Sequence, residues 1–134
     1  MHEDDVRSLR RIYEAMSRED VEEFVGDVAH DIEWNLPEAV PWGGTRHGQD
    51  GMRALAEIYQ QQVEGTWADP DDFLDAGDRV VVLGRMRGRA RSSGAEFEVE
   101  FAHVWALTDG VPSRFRGYFD TGPILAALEA GEPS

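Results

Sequence analysis

Apolar residues in the first half of the chain recur at spacings of three and four, which is the pattern of amphipathic helices. The first stripe predicts a helix from Asp4 to Met16. A second helix is predicted to open at Ser17, with Asp20 three residues later as in a capping box, and to end at His30-Asp31. A third is predicted from about Gln49 to Val63.

The rest of the chain has the alternation and turn residues of β-strands. A short strand is predicted over residues 32–36, followed by a loop over residues 37–48 that contains two prolines and three glycines. Thr121 is expected to cap a last helical turn. Helices followed by a meander of strands favour an α+β fold, and 134 residues favour a single domain over residues 1–134. The four later strands are predicted at about residues 66–76, 79–91, 95–108 and 111–119.

Alternating charges predict how the two longest strands pair. In one antiparallel register Arg91 faces Glu96, and the arginines at 89 and 87 face the glutamates at 98 and 100. The opposite face of this hairpin is then apolar and aromatic, with Met86 across from Phe101 and Gly84 across from His103. A glycine beside the imidazole indicates open space for a cavity. A curved sheet filled by its own aromatic residues is the alternative, and we favour the cavity.

The turn at Thr108-Asp109-Gly110 leaves two possibilities for the last strand. A two-residue loop places Arg114, Arg116, Tyr118 and Asp120 on the same face as His103. A three-residue loop with a bulge places Phe115, Gly117 and Phe119 there instead. We favour the second, because unpaired arginines in an apolar interior are costly.

The formal net charge of −14 argues against nucleic acid and anionic membranes as partners, since both bind through basic groups. No apolar run approaches the ~18–20 residues of a membrane span, and the acidic N-terminus does not resemble a signal peptide. A cytoplasmic location is the simplest expectation. The chain has no cysteine, and its four histidines lack metal-ligand spacing, so neither a metal nor another cofactor is expected.

His103 is the strongest candidate for chemistry, because imidazole exchanges protons near neutral pH and its predicted face is apolar. A structural, hydrogen-bonded core histidine is the alternative. Asp120 is a second catalytic candidate, as a base at the mouth of the cavity, or else a group that helps to cap the last helix. Trp42 and His47 are placed near that mouth.

Three segments resemble the nuclear transport factor 2-like superfamily and its SnoaL-like, ketosteroid isomerase-like branch. They are Asp31-Ile32-Glu33-Trp34 with the later Gly44-Thr45-Arg46-His47-Gly48, then Phe101-Ala102-His103-Val104-Trp105 with Asp109-Gly110, and lastly Arg114-Phe115-Arg116-Gly117-Tyr118-Phe119-Asp120-Thr121. The resemblance implies a cystatin-like α+β roll. In this roll, a cone-shaped, strongly curved antiparallel sheet is wrapped by three helices from the first half of the chain. It also implies a homodimer formed through the sheet.

Only some catalytic residues of the family's enzymes have a suitable counterpart in this sequence. The ketosteroid isomerase base falls near Leu36, its helix-1 tyrosine near Ile12 and its carboxylic acid donor near His103. Gly117 stands where the epoxide hydrolases have an aspartate, whereas the acid–base aspartate of the cyclases matches Asp120. The resemblance therefore implies proton transfer on an apolar, cyclic or carbonyl-bearing small molecule, with a non-catalytic binding or dimerisation domain as the alternative. The expected pocket-lining residues are Tyr13, Trp34, Leu36, Tyr59, Met86, Phe101, Trp105, Phe115 and Phe119.

Overall fold

The computed structural model describes residues 2–130, with side chains for residues 4–65 and 68–130. Its helices are α1 (His2–Ser17), α2 (Val21–Gly26), α3 (Gly48–Gln62) and α4 (Gly122–Glu129). Its strands are β1 (Glu33–Leu36), β2 (Gly44–His47), β3 (Val63–Asp75), β4 (Val80–Ala90), β5 (Glu96–Thr108) and β6 (Val111–Phe119). No helix among residues 2–130 is long and apolar enough to cross a membrane.

The six strands form one strongly curled sheet in the order β2-β1-β6-β5-β4-β3. Bulges between Glu64 and Trp67, and between Pro70 and Asp72, interrupt β3 and help to bend the sheet. The predicted α+β fold with a curved sheet is confirmed. The expectation of a wholly antiparallel sheet is wrong at one position, because β1 runs parallel to β6.

Strand β2 lies in the segment that the sequence predicted to be a loop. It pairs antiparallel with β1, and Thr45 Oγ1 donates a hydrogen bond of 2.8 Å to Asn35 Oδ1 across the pair. The strand has four residues, begins with a glycine and contains no apolar residue. Strand prediction depends on an apolar alternation that this segment lacks, which explains why it was missed.

The predicted cap of α2 is displaced, whereas Thr121 takes the predicted N-cap position of α4. Ser17 belongs to the end of α1, and α2 starts after Asp20, whose carboxylate accepts the Glu23 N–H at 3.1 Å. That helix ends at Gly26, four residues before the predicted end. Thr121 precedes α4 but makes no side-chain cap bond. The Asp120 carboxylate accepts the Gly122 N–H at 2.9 Å instead.

The register of the β4–β5 hairpin differs by two residues from the predicted one. Arg89 faces Glu96, so Arg91 reaches across to Glu64 on β3 at 3.1 Å. Four arginines alternate on β4 and its turn, whereas three glutamates alternate on β5, so two registers give three pairs each. A shift of two preserves which face each side chain occupies. The predicted inward face is therefore correct although its pairings are not.

The inward glycines consequently have other neighbours than predicted. Gly84 faces Phe101, and the aromatic ring of Phe101 lies against the glycine, where a Cβ atom would come within 2.7 Å of Cζ. The space above Gly84 is therefore filled by an aromatic ring. The strand partners of His103 are Val82 on β4 and Gly117 on β6.

The side chains of β6 that we expected to face the interior do so, but the loop before β6 is one residue shorter than we expected. The turn has two residues, Asp109 and Gly110, and both have positive φ, at 51° and 79°. A bulge at Ser113 then shifts the register before Phe115 pairs with Trp105. Phe115 and Gly117 are buried, Phe119 is half-buried, and the arginines at 114 and 116 are exposed.

The core fills the concave side of the sheet in two clusters. The larger packs α1 and α2 against the sheet around Tyr13, Trp34 and Trp105. The smaller lies under α4, where Ile124 and Ala127 meet residues of β4 and β5.

Replacing Gly84 by alanine tests the observed register. The new methyl group would meet the backbone oxygen of Asp69 at 2.3 Å as well as the Phe101 ring, so we expect a loss of about 1–3 kcal/mol in the free energy of unfolding. Gly26→Ala is the control, since nothing lies within 4 Å of its Cβ position, and a change below about 0.5 kcal/mol is expected. Urea unfolding measures both, and equal stabilities of the two variants would contradict the register.

Candidate functional site

A cavity of about 150 Å³ opens on the concave side of the sheet, beneath α1, α2 and α3. Its wall is almost entirely apolar, with His103 as the polar side chain from the sheet. Two features shape this wall: the pleat of β5 and β6 turns every second residue inward, and α3 contributes one face. The lining residues are Met16, Glu19, Asp20, Val21, Phe24, Trp34, Leu36, Trp42, Leu55, Ala56, Tyr59, Gln60, Ala68, Met86, His103, Phe115 and Phe119.

The mouth of the cavity is marked by its exposed lining residues. Glu19 and Asp20 come from the turn between α1 and α2, and Gln60 comes from the last turn of α3. Glu19 has a left-handed backbone, with φ at 56°, and Asp20 caps α2. The tight turn that joins two helices thus brings two neighbouring carboxylates to the opening.

A buried hydrogen-bonded series connects His103 to α1. The Tyr13 hydroxyl lies 2.6 Å from His103 Nδ1, and the indole N–H of Trp105 donates to the same hydroxyl at 3.0 Å. All three side chains are buried. The imidazole is also stacked on Phe101, with ring centroids 3.9 Å apart.

The series indicates which nitrogen of His103 carries the proton. Trp105 can only donate, so the Tyr13 oxygen accepts from it, and the Tyr13 hydrogen then needs an acceptor of its own. His103 Nδ1 is the acceptor within reach, which leaves the hydrogen of a neutral imidazole on Nε2. Nε2 makes no hydrogen bond to any described residue, and His103 borders the cavity. The side chain can therefore offer a neutral N–H donor to a ligand.

Burial determines the charge of this site. Desolvation lowers the pKa of His103 from 6.5 to about 3, so the imidazole is neutral at physiological pH. The same cause raises the pKa of Tyr13, and the Trp105 hydrogen bond opposes it only partly. Exchange of protons by His103 near neutral pH, which motivated the sequence hypothesis, does not fit this value. Hydrogen-bond donation does.

Trp34 contributes a second unusual donor. Its side chain is 3% exposed, borders the cavity and is stacked on Phe115 with ring centroids 3.7 Å apart. The indole N–H has no hydrogen-bond acceptor among the described residues. A buried donor without an acceptor costs about 1–3 kcal/mol. A ligand oxygen at this end of the cavity would remove that cost.

The predicted pocket residues separate into a wall and a layer behind it. Trp34, Leu36, Tyr59, Met86, Phe115 and Phe119 line the cavity, as His103 does. Tyr13, Phe101 and Trp105 lie behind the imidazole and hold it.

Asp120 lies outside this arrangement. It is exposed at the end of β6, it is absent from the cavity wall, and its carboxylate binds the first N–H of α4. The position agrees with the capping role that the sequence also allowed, and a catalytic role for Asp120 stays a prediction. Trp42 lines the cavity, whereas His47 is exposed on β2 and does not.

The residues of the mouth were not predicted. Glu19 and Asp20 follow an amphipathic helix in an acidic stretch, and Asp20 was interpreted only as part of a cap. A charged helix–helix turn carries no local signal that it lies over a cavity. That information depends on where α1 docks, which is a tertiary property.

A second hollow of about 820 Å³ lies on the β4–β5 hairpin and is wide and shallow. It is lined by the charge ladder, in which Arg87 and Arg89 pair with Glu98 and Glu96 at 2.6 and 2.8 Å. Paired charges on an open surface give a ligand little to bind. The smaller cavity therefore remains the candidate site. Among the side chains of residues 4–65 and 68–130, no three His, Asp or Glu groups lie together as metal ligands do.

Comparison with known proteins places these features in a family. The model of the SnoaL-like domain matches residues 9–114. None of the curated proteins compared with the chain matches it significantly.

Several crystal structures resemble the whole chain. An NTF2-like protein from Burkholderia pseudomallei is 29% identical, with a TM-score of 0.88 over 94% of this chain and 98% of its own. An NTF2-like protein from Burkholderia thailandensis is also 29% identical, with a TM-score of 0.86 over 93% of this chain and 97% of its own. TerC, co-crystallized with polyporic acid, is 27% identical, with a TM-score of 0.85 over 94% of this chain and 98% of its own.

The lowered pKa of His103 predicts acid sensitivity of the fold. The unfolded chain binds a proton at this residue below pH 6.5, whereas the folded chain does not until about pH 3. The stabilising contribution is therefore complete above pH 6.5 and is lost as the pH falls, by about 2 kcal/mol at pH 5. His103→Asn lacks this group, and the other three histidines are common to both proteins. Urea unfolding between pH 7 and 5 should give the wild type the steeper decline, and parallel declines would contradict a neutral His103.

Proposed function

Since the chain belongs to the SnoaL-like domain family, we propose that it binds an apolar, ring-bearing small molecule in the cavity and catalyses proton transfer on it. The reaction would be of the isomerase, cyclase or hydratase type. His103 would hydrogen-bond a carbonyl oxygen of the substrate, and the aromatic wall would hold its ring. The observation that carries the proposal is a neutral donor, His103, facing a cavity with an apolar wall.

The volume of the cavity supports a ring of modest size. An apolar cavity of about 150 Å³ is large enough to bind benzene. The cavity here has the same volume, so one six-membered ring fits inside, and any further part of a substrate extends toward Glu19, Asp20 and Gln60.

The polarity of the inner end supports an oxygen as the recognised atom. His103 Nε2 and Trp34 Nε1 are both donors there, and neither has an acceptor among the described residues. A carbonyl oxygen accepts hydrogen bonds without needing to donate one. Donors that reach a carbonyl oxygen in a site with little water stabilise the negative charge that develops when a neighbouring C–H bond loses its proton.

The proton acceptor in such a reaction would come from the mouth of the cavity. Leu36, which matches the family's isomerase base, has no ionisable group, and it lines the wall. Glu19 and Asp20 are the carboxylates that border the cavity. Either is suited to receive a proton from a ring carbon that faces the opening and is conjugated with the carbonyl group, whose oxygen takes up the negative charge at the inner end.

One relative gives independent support for binding. TerC is similar along the whole chain and was co-crystallized with polyporic acid. A small-molecule ligand for the present chain is consistent with that similarity, and polyporic acid is a reasonable compound to include in a ligand screen.

A binding protein without chemistry is the second candidate. The position of Leu36 favours it, and so does the distance of Asp120 from the cavity wall. The two candidates share the ligand class and differ in whether the ligand changes.

We also propose a homodimer formed through the convex face of the sheet. Large apolar side chains are exposed on its strands, with Leu74 at 46% and Tyr118 at 50% of their full exposure. A second copy would cover them. Sedimentation velocity should show a dimer for the wild type and a monomer for Leu74→Arg/Tyr118→Arg, and a wild-type monomer at micromolar concentration would overturn this proposal.

Exchanging His103 for asparagine tests the donor. Asparagine retains an acceptor near the position of Nδ1 for Tyr13 but lacks the distal N–H. Acetophenone and α-methylstyrene have nearly the same shape, and only the first carries an oxygen. We expect His103→Asn to weaken acetophenone binding about fivefold to tenfold, with less than a twofold effect on α-methylstyrene. Calorimetric titration measures both, and equal losses for the two compounds would remove His103 as the donor.

A second ring ketone, cyclohex-2-enone, distinguishes an enzyme from a binder, because its γ hydrogens lie on the ring carbon opposite the carbonyl. Polarisation of the carbonyl with proton removal exchanges these γ hydrogens for deuterium in D₂O, which proton NMR detects. Exchange that exceeds the buffer rate and falls in His103→Asn supports the enzyme. Tight binding with exchange at the buffer rate supports the binder.

A further inference from the structure

The two ends of the cavity have opposite electrostatic character. The inner end presents the hydrogen-bond donors His103 and Trp34. The mouth presents the carboxylates Glu19 and Asp20. Between them the wall is apolar. A ligand that fits the whole length must therefore carry different groups at its two ends.

The negative charge of the mouth is only partly balanced by its neighbours. No arginine is among the described residues that line the cavity, and the sequence contains no lysine. Arg18, the adjacent basic residue, is paired with Glu23 at 2.6 Å, and its electrostatic interaction with Asp20 is weaker than that with Glu23. Asp20 uses one oxygen to accept the Glu23 N–H, and Glu19 has no ion pair among the described residues.

An independent observation at the inner end points to a ligand. The Trp34 side chain is 3% exposed and borders the cavity, yet its N–H lacks an acceptor among the described residues. A ligand atom that accepts a hydrogen bond would satisfy this donor. The unsatisfied donor therefore favours an acceptor as the innermost group of the ligand.

The volume then determines which part of the ligand meets the carboxylates. The cavity holds about one ring, so a substituent opposite the acceptor oxygen emerges between Glu19, Asp20 and Gln60. The net negative charge of Glu19 and Asp20 attracts a cation there and repels an anion. The net charge of −14 acts in the same direction.

We propose that the ligand is a ring compound with a carbonyl oxygen at its inner end and a protonated amine at its outer end, held by Glu19 and Asp20. The same mouth discriminates against compounds whose outer group is a carboxylate. This specificity rests on the proposed binding function and adds the charge of the ligand to it.

Three acetophenones that differ at the para position test the proposal by calorimetric titration at pH 7 and low salt. 4-(Aminomethyl)acetophenone carries the cation, 4-ethylacetophenone is its neutral counterpart, and 4-acetylbenzoate carries the anion. We expect the amine to bind about fivefold more tightly than the neutral compound, and the carboxylate about fivefold more weakly. High salt should reduce both differences, because the carboxylates are exposed.

The variant Glu19→Gln/Asp20→Asn tests whether the difference in affinity between the amine and the carboxylate arises at the mouth. Asparagine is as good an N-cap as aspartate, so α2 should retain its start. The matched control is Asp109→Asn/Glu129→Gln, which removes the same number of charges from exposed positions outside the cavity wall. The amine and the carboxylate should bind with nearly equal affinity to the first variant, and as in the wild type to the control.

The outcomes separate this inference from the proposed function. Failure of the neutral compound to bind overturns both. Binding of all three compounds with equal affinity overturns the charge specificity and leaves the proposed function intact. A preference for the amine that survives in Glu19→Gln/Asp20→Asn, or disappears equally in the control, overturns the assignment to these two carboxylates.

Discussion

The hydroxyl group of Tyr13 makes the buried hydrogen bonds that join α1 to the sheet, within a helix face that also packs Leu9 and Ile12 into the core. This oxygen joins His103 and Trp105, which are 90 and 92 positions away along the chain. All three polar groups are buried, so a movement of α1 that broke the hydrogen bonds would leave several of them without partners, at a cost that a small domain tolerates poorly. The helix is thereby fixed against the part of the sheet that forms the inner end of the cavity.

The other parts of the site follow from this attachment. Because α1 is held at Tyr13, its C-terminal end and the turn that follows are delivered to the opening of the cavity. The left-handed backbone of Glu19 and the capping carboxylate of Asp20 reverse the chain there, so that α2 can pack Phe24 against Trp34. One buried contact thus positions both the donor at the inner end and the acidic mouth.

The sequence predicted those features that depend on a period of two. The alternation along β4 and β5 placed His103 and Phe101 on the inward face, and the cost of buried arginines placed Phe115 there. The sequence did not predict the features that depend on contacts between residues far apart in the chain. A helical tyrosine shows no sign of its distant partners, since the spacing of Tyr13 marks only an apolar stripe. The strand β2 was missed because its pairing with β1, rather than its composition, makes it a strand.

The uneven number of charges in the β4–β5 ladder has a consequence for how the chain folds. With four arginines and three glutamates, a hairpin slipped by two residues still sets three arginines opposite three glutamates and keeps every apolar side chain on the correct face. The slipped form is therefore a competing state that the ladder itself does not penalise. The native form is favoured by its turn, where the Ala90 N–H donates to the Ala95 carbonyl at 2.9 Å, by the Phe101 ring over Gly84, and by the ion pair of Arg91 with Glu64 on β3. Fidelity of the hairpin therefore resides in its turn and in its packed face, whereas the exposed charges accept either alignment.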